Sequence, residues 1–357
     1  MTTKRSEEIY SSISSFSKDK YRKSEVLPEL LSLQTEIINL TFNDNHAENG
    51  NLRLWDVEHH LEKLNEDCSH VADDLLSDFM ADCKVICSTI AGEVSGQQGE
   101  FKANRSLETL RCRHEVLRNV EMVSGDHRTE LDFVVVTEKA VFIVEVKNTA
   151  KDICIDERGN YCRVGTGGKL SFDKNIGEKM NEKEYLLRYA LSKAGIENIN
   201  IVSLVVFTNS FVTCDNRYPY IDICYLSDLP HRIGGYTGER IYSEETIAKI
   251  VDTVNESRCQ ETYPLPIDMD KFKRTFAQLM ATLEYAKDCS QIEECKTKVV
   301  KVSVEHVEPE AAPVESGIGR KTVSWFKRHK VASHAVASIA GVALTTVAVV
   351  IASATRK

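Results

Sequence analysis

Three side chains near the middle of the chain have types and spacing that could do chemistry: Asp132 in "ELDFVVV", and Glu145 and Lys147 in "VFIVEVKN". Both runs read as β-strands, along which side chains alternate faces with a period of two. Val141, Ile143, Glu145 and Lys147 then share one face, while Phe142, Val144 and Val146 take the other. An apolar face becomes a charged one at a definite point. The runs are joined by "TEKA", 137–140. Closing a hairpin at Val136 and Val141, or at Thr137 and Ala140, gives one register: Val134 faces Ile143 and Asp132 faces Glu145. Directly opposed residues have Cβ atoms about 5 Å apart. Two carboxylates at that distance repel unless one is protonated or a cation lies between them.

A divalent cation is the simplest solution. Carboxylate oxygens from Asp132 and Glu145, with water and the main-chain carbonyl of Val146, suit Mg²⁺ or Mn²⁺ rather than zinc. Such an ion acidifies a bound water and stabilises charge on a phosphoryl oxygen, and a neighbouring lysine such as Lys147 can position hydroxide. The chemistry implied is hydrolysis of a phosphodiester. The structural alternative is a solvated sheet rim, where an Asp at a strand start and Glu-x-Lys at a strand end also occur; the hairpin register sets the two apart.

The elements around these residues mix helix and strand. Strands are expected over 115–123, 130–136 and 141–147, and a helical stretch, "FKANRSLETLRCR", precedes them. After the glycine-rich "RVGTGGK", which lacks the GKS/T ending of a phosphate loop and reads as a flexible connection, a helix is predicted over 176–191. The run "INIVSLVVFTN" then reads as a buried strand. The order is αβββαβ, an α/β fold with a mixed sheet flanked by helices.

Flanking regions follow other patterns. From Leu54 the positions Leu54, Val57, Leu61, Leu64, Cys68, Val71 and Leu75 alternate three and four apart, and the pattern slips at Asp78 before resuming through Phe79, Cys83, Ile86 and Ile90. This predicts one long helix or two abutting ones, packed on the segment 27–40 or, alternatively, against a second copy as a coiled coil. Helices are expected over 244–254 and 269–285, the latter with Phe272, Phe276, Leu279 and Leu283 on one stripe. From Lys296 the chain gathers Pro, Glu and small residues and reads as a linker. Residues 331–355 contain no charged side chain and follow "WFKRHK". At about 1.5 Å per residue a helix of that length clears the roughly 30 Å hydrocarbon layer, so a C-terminal membrane anchor with its soluble part in the cytoplasm is expected. Five regions result: 1–91 helical, 92–233 α/β, 234–295 helical, 296–330 linker and 331–355 spanning.

The 357 residues are 42% hydrophobic and 28% charged, an ordinary globular balance, with a formal net charge of −9. That charge excludes a protein that coats nucleic acid through a broad basic surface, though not one with a local basic groove. The opening "MTTKRSEEIYSS" has no apolar signal-peptide core. Eleven cysteines are scattered without a CxxC pair, which points to a reducing compartment rather than a disulfide framework or zinc ribbon. Cys83 and Cys87, four apart on a predicted helix, read as small buried hydrophobes.

Gly99 and Glu100 opening a helical run, then "ELDFVVV", then "AVFIVEVKN", resemble the nuclease-related domain (NERD), a branch of the restriction-endonuclease-like PD-(D/E)XK superfamily. The resemblance extends from about 92 to 233 and takes in "VVFTN" and "YLSDLPHRI". It implies that Asp132 and Glu145 are metal ligands together with the Val146 carbonyl, that Lys147 is the catalytic lysine, and that Glu100 supports the site from the first helix. It also implies Mg²⁺ or Mn²⁺ as cofactor and nucleic acid, DNA first, as substrate. The chain departs from the pattern: Leu131 stands at the proline position, Phe133 where histidine is common, and Asn175-Ile176 where Asn-Pro usually introduces the second helix, with Glu178 or Lys179 near its usual glutamine. The function expected is metal-dependent cleavage of nucleic acid by a membrane-tethered domain; the alternatives are a non-cleaving binding module and a membrane scaffold.

Overall fold

The computed structural model describes residues 2–14, 18, 20–42, 52–260 and 262–304. Packing divides the chain into two units, Met1–Ala91 with Tyr263–Lys357, and Gly92–Thr262.

In the first unit, apolar residues at helical spacing build an all-helical core. It holds α1 (Thr2–Ser12), α2 (Lys23–Phe42), α3 (Leu54–Asp67), the start of α4 (Asp73–Leu107) and α8 (Met269–Val304). The seam residues Leu54, Val57 and Leu61 bury against Leu30, Leu33 and Ile37 of α2, so this stripe is satisfied within the unit. The stripe on α8 is buried as expected, and Phe79 of α4 stacks on Phe272 and Phe276 with ring centroids 5.6 and 5.3 Å apart. The heptad stretch is two helices. The break falls at 68–72 rather than at Asp78, because Ser69 and His70 take left-handed backbone conformations, with φ of 59° and 61°. Val71, on the expected seam, is exposed there.

In the second unit, continuous apolar and β-branched runs form the central strands of a mixed sheet covered on both faces. β1 (His114–Ser124), β2 (His127–Thr137) and β3 (Val141–Lys147) are antiparallel. β7 (Ile201–Phe207) and β9 (Asp222–Tyr225) continue the sheet parallel to β3, giving the order β1-β2-β3-β7-β9. One face packs on α5 (Ile176–Lys193) and α7 (Glu244–Glu256). The other packs on the end of α4, through Ala103 and Leu107, and on α6 (Leu229–Gly234). This is the restriction-endonuclease-like α/β arrangement expected.

Three details differ from the sequence patterning. The glycine-rich region is not a plain connection: β4 (Ile153–Ile155), β5 (Asn160–Val164), β6 (Leu170–Asn175) and β8 (Cys214–Asn216) form a second sheet, and "GTGG" turns the β5–β6 hairpin with Gly167 and Gly168 at φ of 75° and 77°. Strands this short lack a legible period. "SGQQGE" lies inside α4, which runs unbroken through Gly92, Gly96 and Gly99. The segment 234–295 is shared: α7 packs within the α/β unit and α8 with the N-terminal helices, continuing through Val304 into the stretch read as linker. Among the described residues no helix is long and apolar enough to cross a membrane, and the expected span at 331–355 lies outside the described residues.

Candidate active site

The site forms where β2 and β3 stop pairing. Their ladder runs from Val136↔Val141 to Phe133↔Val144, the register expected from the hairpin, and ends one position before Asp132 and Glu145. On its other side, β2 also lets go at Asp132. The β1–β2 ladder passes from Arg118↔Phe133 to Val120↔Leu131, and Asn119, between them on β1, has a left-handed φ of 49°. Leu117 and Val120, an odd number of positions apart, bury in the same core, as do Val134 and Leu131. Simple alternation would send each pair to opposite faces, so the strand pair kinks here. Asp132 sits at the kink and is freed from the ladder to bond sideways. Its Oδ2 accepts the Val146 N–H at 2.8 Å, a side chain taking the place of a β-bond.

β3 is held from three directions. Its Lys147 carbonyl accepts from the Thr208 N–H at 3.1 Å, just past β7. Asn148 donates to the Ser95 carbonyl at 2.9 Å, takes the Ser95 hydroxyl on its own carbonyl at 3.1 Å, and accepts from the Thr208 hydroxyl at 2.6 Å. Gly99 permits this docking of α4. A Cβ there would stand 2.8 Å from Asn148 Cβ and 3.2 Å from Val146 Cγ1, so the Gly of the Gly-Glu pair is required by close approach. Glu100 follows Gly99 on α4, and among the described residues it does not join Asp132 and Glu145 in a cluster of three acids.

Glu145 is buried and lies in a ring of ammonium groups. Lys147 Nζ and Lys179 Nζ both donate to Oε1 at 2.8 Å, and Lys183 Nζ donates to Oε2. Lys183 also reaches Asp132 Oδ1 at 3.8 Å, so the two acids lie on one side of the sheet within reach of a shared cation. Burial alone would raise the Glu145 carboxyl, but Lys147, Lys183 and Lys179 outweigh it and hold it well below the usual carboxylate range. Asp132 goes the other way: burial, then the charge on Glu145, pushes it up against the opposing pull of Lys183, the Val146 N–H and Lys147.

Lys179 and Lys183 come from α5, whose N-terminus is fixed by Asn175 accepting the Glu178 N–H at 2.8 Å. Of Glu178 and Lys179, the two residues expected near the usual glutamine, Lys179 is the one that meets Glu145. Lys183 was not among the residues suggested by sequence, yet a signal for it exists. It interrupts the apolar stripe Ile176, Met180, Leu187 and Leu191, and a lysine inside such a stripe must be buried and therefore paired.

Residues 95–208 match the family model described as the nuclease-related domain. This segment is a NERD domain. It belongs to the restriction-endonuclease-like PD-(D/E)XK superfamily, and all the site residues named above fall within the match. No curated protein and no solved structure matches the chain.

The donor set of this NERD domain fits a small divalent cation. Asp132 and Glu145 supply hard oxygens, and in a strand the N–H and C=O of one residue point to the same side, so the Val146 carbonyl is directed toward the Asp132 edge with its N–H. Among the described residues no group of three or more His, Cys, Asp or Glu side chains gathers to bind a metal. Two carboxylates with a carbonyl and water suit Mg²⁺ or Mn²⁺ better than zinc.

Proposed function

We propose that the NERD domain hydrolyses phosphodiester bonds in nucleic acid, DNA first, with Mg²⁺ or Mn²⁺ held by Asp132, Glu145 and the Val146 carbonyl and with Glu100 supporting from α4. The observation that carries this reading is that Asp132 and Glu145, from neighbouring strands, converge on one ammonium group at the end of an apolar sheet. A structural strand gains nothing from two acids gathered in this way. When bound, the ion would acidify a water and offset negative charge on the scissile phosphoryl group.

The chain's own residues do the remaining work. Glu145 anchors the Lys147 ammonium, and Lys147, partly open to solvent, is positioned to orient hydroxide and to neutralise the developing oxyanion. Lys179, more exposed and tied to the same oxygen, presents a positive charge to a phosphate of the incoming strand. Asp132 fixes the end of β3 through the Val146 N–H, so the acids and Lys147 keep their spacing.

One observation favours a second reading, a module that binds nucleic acid without cutting it. Three lysines face two carboxylates, which leaves the cluster with a surplus positive charge suited to holding a phosphate. Incubating the full-length protein with supercoiled DNA and Mg²⁺ or Mn²⁺ separates the two. Nicking is expected, and Asp132→Ala and Lys147→Ala should each reduce it by about 10²-fold or more while the circular dichroism of the fold is kept. Cleavage that survives both substitutions defeats the catalytic assignment; retention of DNA without cleavage, at low salt with either metal, establishes the binding module.

A further inference from the structure

We propose that Lys183 is a built-in occupant of the cation position, an internal counter-ion that a divalent metal must displace before the site can load. The inference rests on the proposed metal site and adds to it a residue that controls metal affinity.

Geometry singles this lysine out from the other two. Lys147 and Lys179 both bind Oε1 of Glu145 and are partly exposed, with side chains 25% and 39% accessible. Lys183 instead binds the other oxygen, Oε2, and lies 3.8 Å from Asp132 Oδ1, so its ammonium stands between the two acids that would share the metal. Its side chain is fully buried, carried on α5 in line with Ile176, Met180, Leu187 and Leu191. A flexible surface lysine would swing into water when a metal arrives at little cost. A buried one has to carry its charge through an apolar layer or find another acceptor, and this opposes loading.

The Lys183 ammonium brings a single positive charge to the space between the acids. A divalent ion attracts each carboxylate twice as strongly at equal distance, so the metal wins at sufficient concentration while the lysine sets the threshold. The expected behaviour is a site that is stable and closed without metal and that loads only when metal is abundant.

Manganese binding to the full-length chain, followed by calorimetry and by the loss of free-ion electron paramagnetic resonance signal, tests this without reference to cleavage. Lys183→Met should bind Mn²⁺ at least tenfold more tightly than the parent. Lys183→Gln should follow it, and Lys183→Arg, which keeps the charge, should not. Lys193→Met, on the exposed end of α5, removes one positive charge from the same helix and serves as control; its affinity should stay within about twofold of the parent, since exposed charges are screened. Equal affinities for parent, Met and Gln variants overturn the proposal, and so does a gain as large in Lys193→Met. Absence of Mn²⁺ binding in every chain overturns it together with the metal assignment, whereas tighter binding without any cleavage leaves it standing and removes only the nuclease reading.

Should neither neutral variant fold, the parent decides alone through its lysine ¹³Cε spectrum. Saturating Mg²⁺ is expected to move the resonance that Lys183→Arg deletes. Lysine resonances that all stay in place, whether or not Mg²⁺ binds, sink the proposal.

Discussion

Each unit of the protein sets a glutamate against a helix, Glu145 buried and Glu58 half-buried, and the two are driven in opposite directions. In the α/β unit, Glu145 is surrounded by Lys147, Lys179 and Lys183 and is held ionised well below the usual range. In the helical unit, Glu58 of α3 lies beside Glu62 and the Cys83 thiol. Burial and the charge of Glu62 push its carboxyl up to about 7, against a single hydrogen bond from Cys83. The same surroundings raise both thiols: burial, with the Glu58 charge adding to it, pushes Cys87 up to about 11 and raises Cys83 as well. Burial is common to both places, and what separates them is the sign of the charge brought to meet the acid. At Glu145 three ammonium groups are brought to keep the carboxylate charged. At Glu58 a helix–helix contact tolerates an acid, with no cation among the described residues brought to meet it.

The largest test of this contrast is Glu145→Gln. It leaves Lys183 buried with only Asp132 nearby, and breaking such a buried pair costs on the order of 3 kcal/mol. Because the folded carboxyl titrates below its unfolded value of roughly 4.3, the stabilisation is present above that pH and is lost as pH falls through the depressed folded value. Hydrogen exchange in β3 and α5 should therefore quicken strongly in the variant at pH 7, and the gap to the parent should narrow as pH falls below the unfolded value of roughly 4.3. A variant protected like the parent at pH 7 would break the comparison.

Glu58→Gln should have the opposite sign. Here the folded value, about 7, lies above the unfolded one, so the parent loses stability as pH rises between them. Removing the charge is expected to gain on the order of 1–2 kcal/mol at pH 8, discounted for partial exposure, and little at pH 4.5. Thermal unfolding at the two pH values reads it, and equal gains at both would refute the burial argument. Smallest is Lys179→Gln. With its side chain 39% exposed and its acceptor oxygen shared with Lys147, it should cost less than about 1 kcal/mol in hydrogen exchange. It should also lower the salt dependence of DNA binding by about one phosphate contact; an unchanged salt slope would exclude Lys179 from the nucleic-acid surface.

Much of the α/β unit was legible in sequence for a local reason. β3 begins and ends where its alternation predicts, and α5 starts at the predicted Ile176 behind the Asn175 cap. The hairpin "TEKA" allows only one register, and that register is found. The second sheet was not legible, since its strands run to three to six residues with little alternation. The continuity of α4 through three glycines was hidden as well, because glycine argues against a helix locally, while the reason for Gly99 is a strand end that folding brings against it.

By itself the sequence determined which acids and which lysine share a face of β3 and its neighbour, because strand alternation and a short hairpin are properties of adjacent residues. Tertiary structure alone decided what meets those acids. Lys179 and Lys183 lie more than thirty residues from Glu145 along the chain, and only the packing of α5 on the sheet carries them there. The kink at Asn119 and Asp132, which turns a ladder residue into a side-chain ligand of β3, was decided there too, since it exists only once the two strands pair.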